Sequence, residues 1–204
     1  MIRRISLLAV LAGFAVAANA LPAGAMVTIG SNLGRQPDVS SQYDPRPTFA
    51  NFALAPDRQA PGGLASPVNG TVVRWRIRVG SSTEVTNFRV IAPLAITYFA
   101  GVGTSPQVTP PSNATTAYDV QLPIQVGDYI GLDCCDPGDA AFFVSDPSGA
   151  SIRSEWQPAL GAGTPASSNP YEIALNADIE PTSTFTIGIV HNWKKGRASL
   201  TVVA

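Results

Sequence analysis

Hydrophobic and polar residues alternate with a period of two along much of the chain after residue 65. The clearest case runs from Val73 to Val79, where Val73, Trp75, Ile77 and Val79 are separated by three arginines. Successive side chains of a β-strand point to opposite faces. The spacing therefore predicts a strand with one buried and one solvated face.

Further segments show the same alternation or are rich in β-branched and aromatic residues. They cover residues 87–92, 95–100, 117–125, 126–132 as a turn followed by a strand, 140–144 and 171–179. Short runs of Gly, Pro, Asn and Asp separate them, and no segment carries a convincing apolar stripe at helical spacing. Six to nine short strands joined by turns predict an all-β fold, namely a two-sheet antiparallel β-sandwich with jelly-roll-like topology.

The residues on either side of this pattern suggest four regions in the chain. Residues 1–20 are set apart as a leader, and residues 21–64 are rich in proline and predict an N-terminal arm on the surface. Within the arm, Thr48–Leu54 has the apolar spacing of a short strand that docks on the main body. The alternative is that the arm is disordered. The β-sandwich domain is predicted over 65–181. Residues 182–204 predict a C-terminal β-hairpin that packs on the sandwich or follows it.

The first twenty residues have the layout of a signal peptide. Arg3 and Arg4 precede an apolar run from Ile5 to Ala18, and Ala18-Asn19-Ala20 offers a small-residue cleavage site. The run is shorter than the roughly twenty residues that span a bilayer as a helix, although an uncleaved anchor is the alternative. The sequence therefore predicts a secreted, extracellular protein without a membrane span after cleavage.

The charge and composition narrow the range of partners. The chain has 13 Lys and Arg and 14 Asp and Glu, and removal of residues 1–20 leaves 11 basic residues against the same 14 acidic ones. A chain with this negative balance has no electrostatic attraction for nucleic acid. Only 13% of the residues are charged, while Gly and Pro number 18 each, which favours short strands joined by turns.

Two adjacent cysteines, Cys134 and Cys135, lie between aspartates and a Pro-Gly turn. Three interpretations remain open: a vicinal disulfide, two free thiols, or pairing with another chain. The vicinal disulfide is favoured because an exported thiol pair meets oxidising conditions. The pair lacks the two-residue spacer of thiol redox enzymes.

Acidic residues surround the cysteine pair. Asp133, Asp136 and Asp139 offer the carboxylate oxygens that Ca²⁺ prefers, which makes Ca²⁺ the one candidate cofactor. Their spacing matches no known calcium loop, and aspartate is also an ordinary turn residue beside Gly and Pro. The metal site and the turn both remain open interpretations.

Aromatic side chains provide the candidate ligand-binding residues. Trp156, Trp193 and Tyr98 have apolar rings with a polar edge, which stack well on sugar rings. Trp156 and Trp193 fall in loop-like segments, so we expect them to be more exposed than Trp75, which lies on the apolar face of its strand.

The residues that carry enzyme chemistry are sparse. His191 is the only histidine, which excludes a serine-type triad and a multi-histidine zinc site. Paired carboxylates can hydrolyse glycosides, and Glu84, Glu155, Glu172 and Glu180 are present, but the sequence places no two of them face to face. No catalytic residue is predicted, and whether the protein is an enzyme stays open.

Four segments resemble a group of exported actinobacterial proteins of uncharacterised function: Ser66–Arg76, Gly101–Ser105, Leu122–Asp133 and Asn176–Pro181. The tail, with strands starting at Phe185 and Ala198 around Lys194-Lys195-Gly196, is similar to the opening of a repeat module that often follows that body. The resemblance covers residues 65–204. It implies a β-sandwich body and assigns no catalytic residues.

These observations together predict a non-catalytic binding module that is secreted or held in the cell envelope. Its expected partner is an extracellular glycan or a cell-surface protein. One alternative is a structural or assembly module in which the tail hairpin or the cysteine pair joins chains. A secreted hydrolase is the second alternative.

Overall fold

A computed structural model of the protein describes residues 24–41, 45–135, 140–182, 184–189 and 198–203. Apart from a single 3-10 turn at Pro56–Arg58, its regular elements are sixteen β-strands. They are β1 (Val27–Gly30), β2 (Val39–Ser41), β3 (Thr48–Ala53), β4 (Gly70–Arg78), β5 (Asn87–Ala95), β6 (Tyr98–Thr104), β7 (Thr115–Ile124), β8 (Tyr129–Asp133), β9 (Ala140–Ser145), β10 (Ile152–Trp156), β11 (Ala162–Gly163), β12 (Ser167–Asn169), β13 (Tyr171–Ile173), β14 (Leu175–Pro181), β15 (Thr184–Ile189) and β16 (Ala198–Val203).

The strands form an antiparallel β-sandwich, as the alternation predicts. One layer is a seven-stranded sheet in the order β11-β6-β5-β8-β3-β10-β12. The other layer combines a four-stranded sheet, β1-β14-β4-β7, with a three-stranded sheet, β13-β9-β2. These two sheets join because only Ala174 separates β13 from β14, and its carbonyl accepts a hydrogen bond of 2.9 Å from the amide of Arg78 at the end of β4.

Consecutive strands pass back and forth between the layers, which is the connectivity of jelly-roll-like sandwiches. The chain runs from β7 in the four-stranded sheet to β8 in the seven-stranded sheet, then to β9 in the three-stranded sheet and back to β10. The C-terminal hairpin has the predicted form, with β15 and β16 paired from Thr184–Val203 to Ile189–Ala198.

The inner core fills the space between the layers. Trp75 of β4 is 1% exposed and stacks on Phe88 of β5 with ring centroids 5.6 Å apart. Phe49 of β3 meets Phe143 of β9 edge to face at 4.9 Å. Burial of such aromatic side chains is the main favourable contribution to folding here, and it confirms the inward face predicted for Trp75, Ile77 and Val79.

One detail of that face differs from the sequence pattern. Val72 is fully buried while Val73 is only half-buried. The register between β4 and β7 shifts between Val72 and Arg74, which marks a β-bulge. A bulge inserts one extra residue and so moves the inward position from one side chain to the next.

The proline-rich segment before residue 65 is more than a surface arm. The prediction of a docking strand at Thr48–Leu54 is confirmed by β3, but this strand lies in the middle of the seven-stranded sheet, between β8 and β10. Strands β1 and β2 add to the other layer. The described prolines of this segment fall in the connections, so they interrupt the chain between strands without removing hydrogen bonds from the sheets.

The described residues contain no helix that is long and apolar enough to cross a membrane.

Candidate binding site

The outer face of the seven-stranded sheet carries a second apolar cluster. It contains four aromatic rings, which we call the outer aromatic cluster: Phe52, Phe99, Tyr129 and Trp156. Phe52 lies at its centre, with ring centroids 4.5 Å from Tyr129 and 4.9 Å from Phe99. Because a sheet face of this composition is unfavourable in water, it has to be covered.

Residues 156–166 cover this cluster, and we call them the covering loop. Trp156 is the last residue of β10 and packs its ring 5.5 Å from that of Phe99. The loop then pairs with the edge strand β6 through the short strand β11, where Ala162 is opposite Ala100. The amide of Gly101 also donates to the carbonyl of Gly161 at 2.9 Å. The covering loop is therefore hydrogen-bonded along its length to the sheet beneath it.

A buried polar network holds the middle of the covering loop at Leu160. The amide of Leu160 donates to Thr48 Oγ1 at 2.7 Å, and its carbonyl accepts a hydrogen bond from the Arg89 guanidinium. Both partners also contact one carboxylate, because Thr48 Oγ1 donates to Asp133 Oδ1 at 2.5 Å and Arg89 Nη1 lies 3.5 Å from Asp133 Oδ2. Asp133 thus supports the covering loop from below.

The surroundings of Asp133 have opposing effects on the pKa of its carboxyl group. Burial raises the pKa of this carboxyl, while the hydrogen bond from Thr48 and the charges of Arg89 and Arg46 oppose the rise. The net shift is upward. Burial therefore outweighs the hydroxyl of Thr48 and the two arginines in its effect on the pKa of Asp133.

A concavity of about 260 Å³ opens in the covering loop. Its lining is continuous in sequence: Trp156, Gln157, Pro158, Ala159, Leu160, Gly161, Ala162, Gly163, Thr164 and Ala166. Small-molecule pockets in proteins usually have about 300–1,000 Å³, so this one fits a group of one ring. The lining has apolar methyl and ring surfaces together with an amide, a hydroxyl and backbone polar groups.

The lining includes no ionisable side chain. General acid–base catalysis needs a group that takes or gives a proton within hydrogen-bonding reach of the substrate. The concavity therefore has the chemistry of a binding site for an uncharged group.

Two of the residues that line the concavity, Gly161 and Gly163, have no side chain. A Cβ atom built on Gly161 or Gly163 meets no other atom within 4 Å, and neither residue has the left-handed φ that would strain a side chain. The indole Nε1 of Trp156 donates to the carbonyl of Gly163 at 3.3 Å, which fixes the far side of the loop over the ring.

The predicted ligand-binding aromatics fall in three different places. Trp156 is 3% exposed, so the expectation that it is an exposed platform is wrong. Its ring is used to fill the outer aromatic cluster. Tyr98 is 43% exposed and precedes Phe99, which is paired with Gly163 of the covering loop. Trp193 lies outside the described residues.

The predicted calcium ligands are described only in part. The carboxylate of Asp133 is buried against Thr48 and Arg89, and a cation beside two arginines is disfavoured there. Asp136 and Asp139 lie outside the described residues. Within the part of the chain that is described, no group of three or more His, Cys, Asp or Glu side chains could hold a metal ion. Calcium binding by this segment stays a prediction.

Cys134 and Cys135 are bonded to each other in the structure, and both are fully buried beside the inner core. Cys135 has a φ of 75°, a left-handed conformation that non-glycine residues seldom adopt. The disulfide directly follows Asp133, so it borders the network that holds the covering loop.

The carboxylates considered for glycoside hydrolysis do not line the concavity. Glu155 accepts a hydrogen bond from Ser167 at 3.1 Å and lies 3.6 Å from the guanidinium of Arg153. Glu172 accepts one from Ser31 at 2.5 Å, and burial raises its pKa. Both are buried inside the fold, where such groups contribute to polar networks.

Sequence reasoning missed the residues that hold the covering loop, Thr48 and Arg89. It also missed the covering loop itself, although one sequence signal was available. Residues 156–171 contain no Asp, Glu, Lys or Arg, and neither do residues 90–118. In the fold these two uncharged segments meet where β11 pairs with β6.

The fold and this geometry define an antiparallel β-sandwich with an uncharged concavity on one outer face. No family model matches the chain, and no curated protein or solved structure matches it. The function is therefore argued from the concavity and the surfaces around it.

Proposed function

We propose that the protein is a non-catalytic binding module that acts outside the cytoplasm and takes a neutral ligand in the concavity of the covering loop. The observation that carries this proposal is the absence of ionisable side chains from the lining of a concavity that is held by Thr48 and Arg89. A preorganised site of this kind loses little conformational entropy when it binds.

The ligand class follows from the lining. Pro158, Ala159 and Ala162 offer apolar surface, and Gln157 and Thr164 offer an amide and a hydroxyl. A sugar ring has the matching combination of apolar C–H faces and hydroxyl groups. A neutral glycan that presents one ring at a time therefore fits both the chemistry and the volume of about 260 Å³.

The extracellular location is supported by two independent features. The leader before Leu21 has the layout of a signal peptide. Disulfides such as that between Cys134 and Cys135 form and persist mainly in oxidising compartments. A glycan of the cell surface or of the surroundings is then within reach of the protein.

The test is a screen of the protein without its leader against an array of neutral and charged glycans, followed by calorimetric titration with the best ligands. We expect retention on neutral glycans. Gly163→Leu adds a bulky side chain to a residue that lines the concavity and has room for a Cβ atom, so binding should fall by about tenfold or more while the thermal unfolding midpoint stays unchanged.

Ala117→Leu is the matched control. Ala117 is an exposed residue of β7 in the other layer, so the same apolar side chain is added far from the covering loop. The proposal is wrong if neutral glycans are not retained, or if Gly163→Leu and Ala117→Leu bind with equal affinity.

A further inference from the structure

The exposed large hydrophobic side chains of the described residues gather at one end of the sandwich. There are seven of them: Met26, Leu94, Ile96, Tyr98, Val102, Val126 and Ile152. We call this surface the apolar end. Isolated exposed hydrophobic residues are common on proteins, but a group of this size on one side marks a contact surface.

The sheet register places these side chains together. In the seven-stranded sheet Ile91, in the middle of β5, is opposite Tyr129 at the start of β8, and β5 continues past it to Ala95. The β5–β6 turn and the β7–β8 turn therefore share one end. In the other layer the start of β4 and the end of β14 lie at that end, because Gly70 is opposite both Ile124 and Pro181.

Met26 and Ile152 belong to the same end. Met26 precedes Val27, which is opposite Ile179 near the end of β14. Ile152 begins β10 opposite Ala53, the last residue of β3. The apolar end is thus formed by four separate parts of the chain: Met26, the β5–β6 hairpin, Val126 and Ile152.

The tip of the β5–β6 hairpin projects furthest from this end. All six residues from Pro93 to Tyr98 are exposed, and Ile96 is 98% exposed. The tip residues are almost entirely apolar, and Leu94, Ile96 and Tyr98 alternate along it. The tip is therefore a convex apolar projection and not a groove that could receive a peptide or a helix.

The backbone of the tip is paired only in part. Pro93 is opposite Phe99 and Ala95 is opposite Tyr98, and the register shifts between these two pairs, so that Leu94 has no partner in the ladder. Unpaired backbone groups keep most loops out of hydrocarbon. A contact of this tip with a lipid surface is therefore shallow, where water still reaches the backbone.

The charges around the tip decide which surface it fits. No Asp, Glu, Lys or Arg occurs between residues 90 and 118, so the tip itself carries no charge. The acidic residues that the register places at this end include Glu180, which is exposed near the end of β14, and the buried Asp128 in the β7–β8 turn. The tip therefore has no cationic group for acidic lipid head groups. Ile96 lies at the extremity and Tyr98, with its polar hydroxyl, lies nearer the body. At a membrane surface, aliphatic side chains lie towards the acyl chains and tyrosine lies at the level of the head groups, which is the order found along this tip.

We propose that the apolar end docks on a neutral lipid surface, with Leu94 and Ile96 entering the boundary between head groups and acyl chains. The contact is shallow, reversible and independent of salt, because it depends on apolar burial and not on charge. This inference goes beyond the proposed function and stands without it, since the tip and the concavity use different residues.

The experiment is flotation of the protein without its leader on vesicles of pure phosphatidylcholine. We expect the protein to float with the vesicles at low and at high salt. The double variant Leu94→Ser/Ile96→Ser should reduce the bound fraction about tenfold, because it removes the two most exposed aliphatic side chains of the tip. Both positions are exposed, so thermal unfolding should be unchanged.

A fluorescent reporter locates the contact. Ile96→Trp should shift its emission to the blue when vesicles are added, whereas Ala117→Trp, on the exposed face of the other layer, should not. Gly163→Leu should float like the wild type, which separates this inference from glycan binding at the concavity.

Three results would overturn the inference. The first is a protein that stays in the soluble fraction when vesicles are added. The second is a Leu94→Ser/Ile96→Ser variant that floats as well as the wild type. The third is concentration-dependent self-association in sedimentation velocity that Leu94→Ser/Ile96→Ser abolishes while vesicles remain unbound, which would assign the apolar end to contacts between protein copies.

Discussion

The two outer faces of the sandwich are built from opposite kinds of residues. On the four-stranded sheet, β4 presents Arg74, Arg76 and Arg78, which bond to Asp119, Asp178 and Gln36. On the seven-stranded sheet the outer face is aromatic and lies under the covering loop. A charged face is stable in water as it is, whereas an aromatic face requires a cover.

This difference explains where a site can form. On the charged face the guanidinium groups bond directly to neighbouring side chains and, at Arg78, to the carbonyl of Leu33. The covering loop exists because the aromatic face needs it, and the concavity is formed by the way the loop crosses Trp156 between its anchors at Leu160 and Gly163. The candidate site thus forms on the sheet face whose outward side chains are apolar, because that face needs a covering loop and the loop forms the concavity.

The largest effect is expected from removing the ring beneath the covering loop. Trp156→Ala should lower the free energy of unfolding by about 3 kcal/mol, because it leaves a cavity among Phe52, Phe99 and Leu160. Denaturant unfolding followed by circular dichroism measures this. A loss below about 1 kcal/mol would mean that the aromatic face needs no cover, and the contrast between the two faces would then disappear.

The second effect concerns the charged face and depends on pH. Asp178→Asn should cost about 2 kcal/mol at neutral pH, because Asp178 Oδ2 lies 2.5 Å from Arg76 Nη2 and is largely shielded from water. Burial alone would raise the pKa of Asp178, but the hydrogen bonds from Arg76 and Thr28 outweigh it and lower the pKa.

The sign of the pH dependence follows from this lowered pKa. The unfolded chain binds the proton more readily, so the stabilisation is present above the ordinary aspartate pKa and is lost as pH falls through the lowered value. The stability difference between wild type and Asp178→Asn should therefore shrink as pH is lowered below about 4. A difference that grows on acidification would contradict the assignment of this pair.

The smallest effect is expected at the exposed end of the same ladder. Arg74→Ala should change the free energy of unfolding by no more than about 0.5 kcal/mol, because Arg74 and Asp119 are both well exposed and their 3.1 Å ion pair is screened by water. Thermal or denaturant unfolding of this variant beside Asp178→Asn gives the comparison. A loss of unfolding free energy as large as that of Asp178→Asn would show that solvent exposure does not determine how much each ion pair contributes to stability.

The charged face and the inner core could be predicted from the sequence. The period of two around Trp75 sends arginines to one side and Trp75, Ile77 and Val79 to the other, because a strand leaves no other arrangement. At this strand local geometry and hydrophobicity agree.

The inward side of β10 and the aromatic face could not be predicted in this way. Arg153 is 1% exposed, with its guanidinium 4.3 Å from the ring centroid of Phe143, while Ile152 is exposed at the apolar end. A hydrophobicity pattern places these two side chains the other way round. The burial of Trp156 depends on rings from β3, β6 and β8, and their alignment is set by sheet register and not by neighbouring sequence.

The placement of β3 has the same cause. Its apolar run was visible, but its central position depends on pairing with β8 and β10, which lie about 80 to 100 residues later in the chain. The spacing of apolar residues predicts which side chains share a face of a strand, but it does not predict which strands pair with it. Thr48 could therefore not be connected in advance with Asp133 and Leu160.

The central claim is that the covering loop is a fixed part of the fold, and amide hydrogen exchange of Leu160 tests it most directly. This amide donates to the buried Thr48 hydroxyl, so it should exchange as slowly as the amides of the inner strands, and Gly101, which donates to Gly161, should behave alike. Ala150, in an exposed turn, serves as the rapidly exchanging reference. Exchange of Leu160 at the rate of Ala150 would contradict the account, because the concavity would then have no fixed wall.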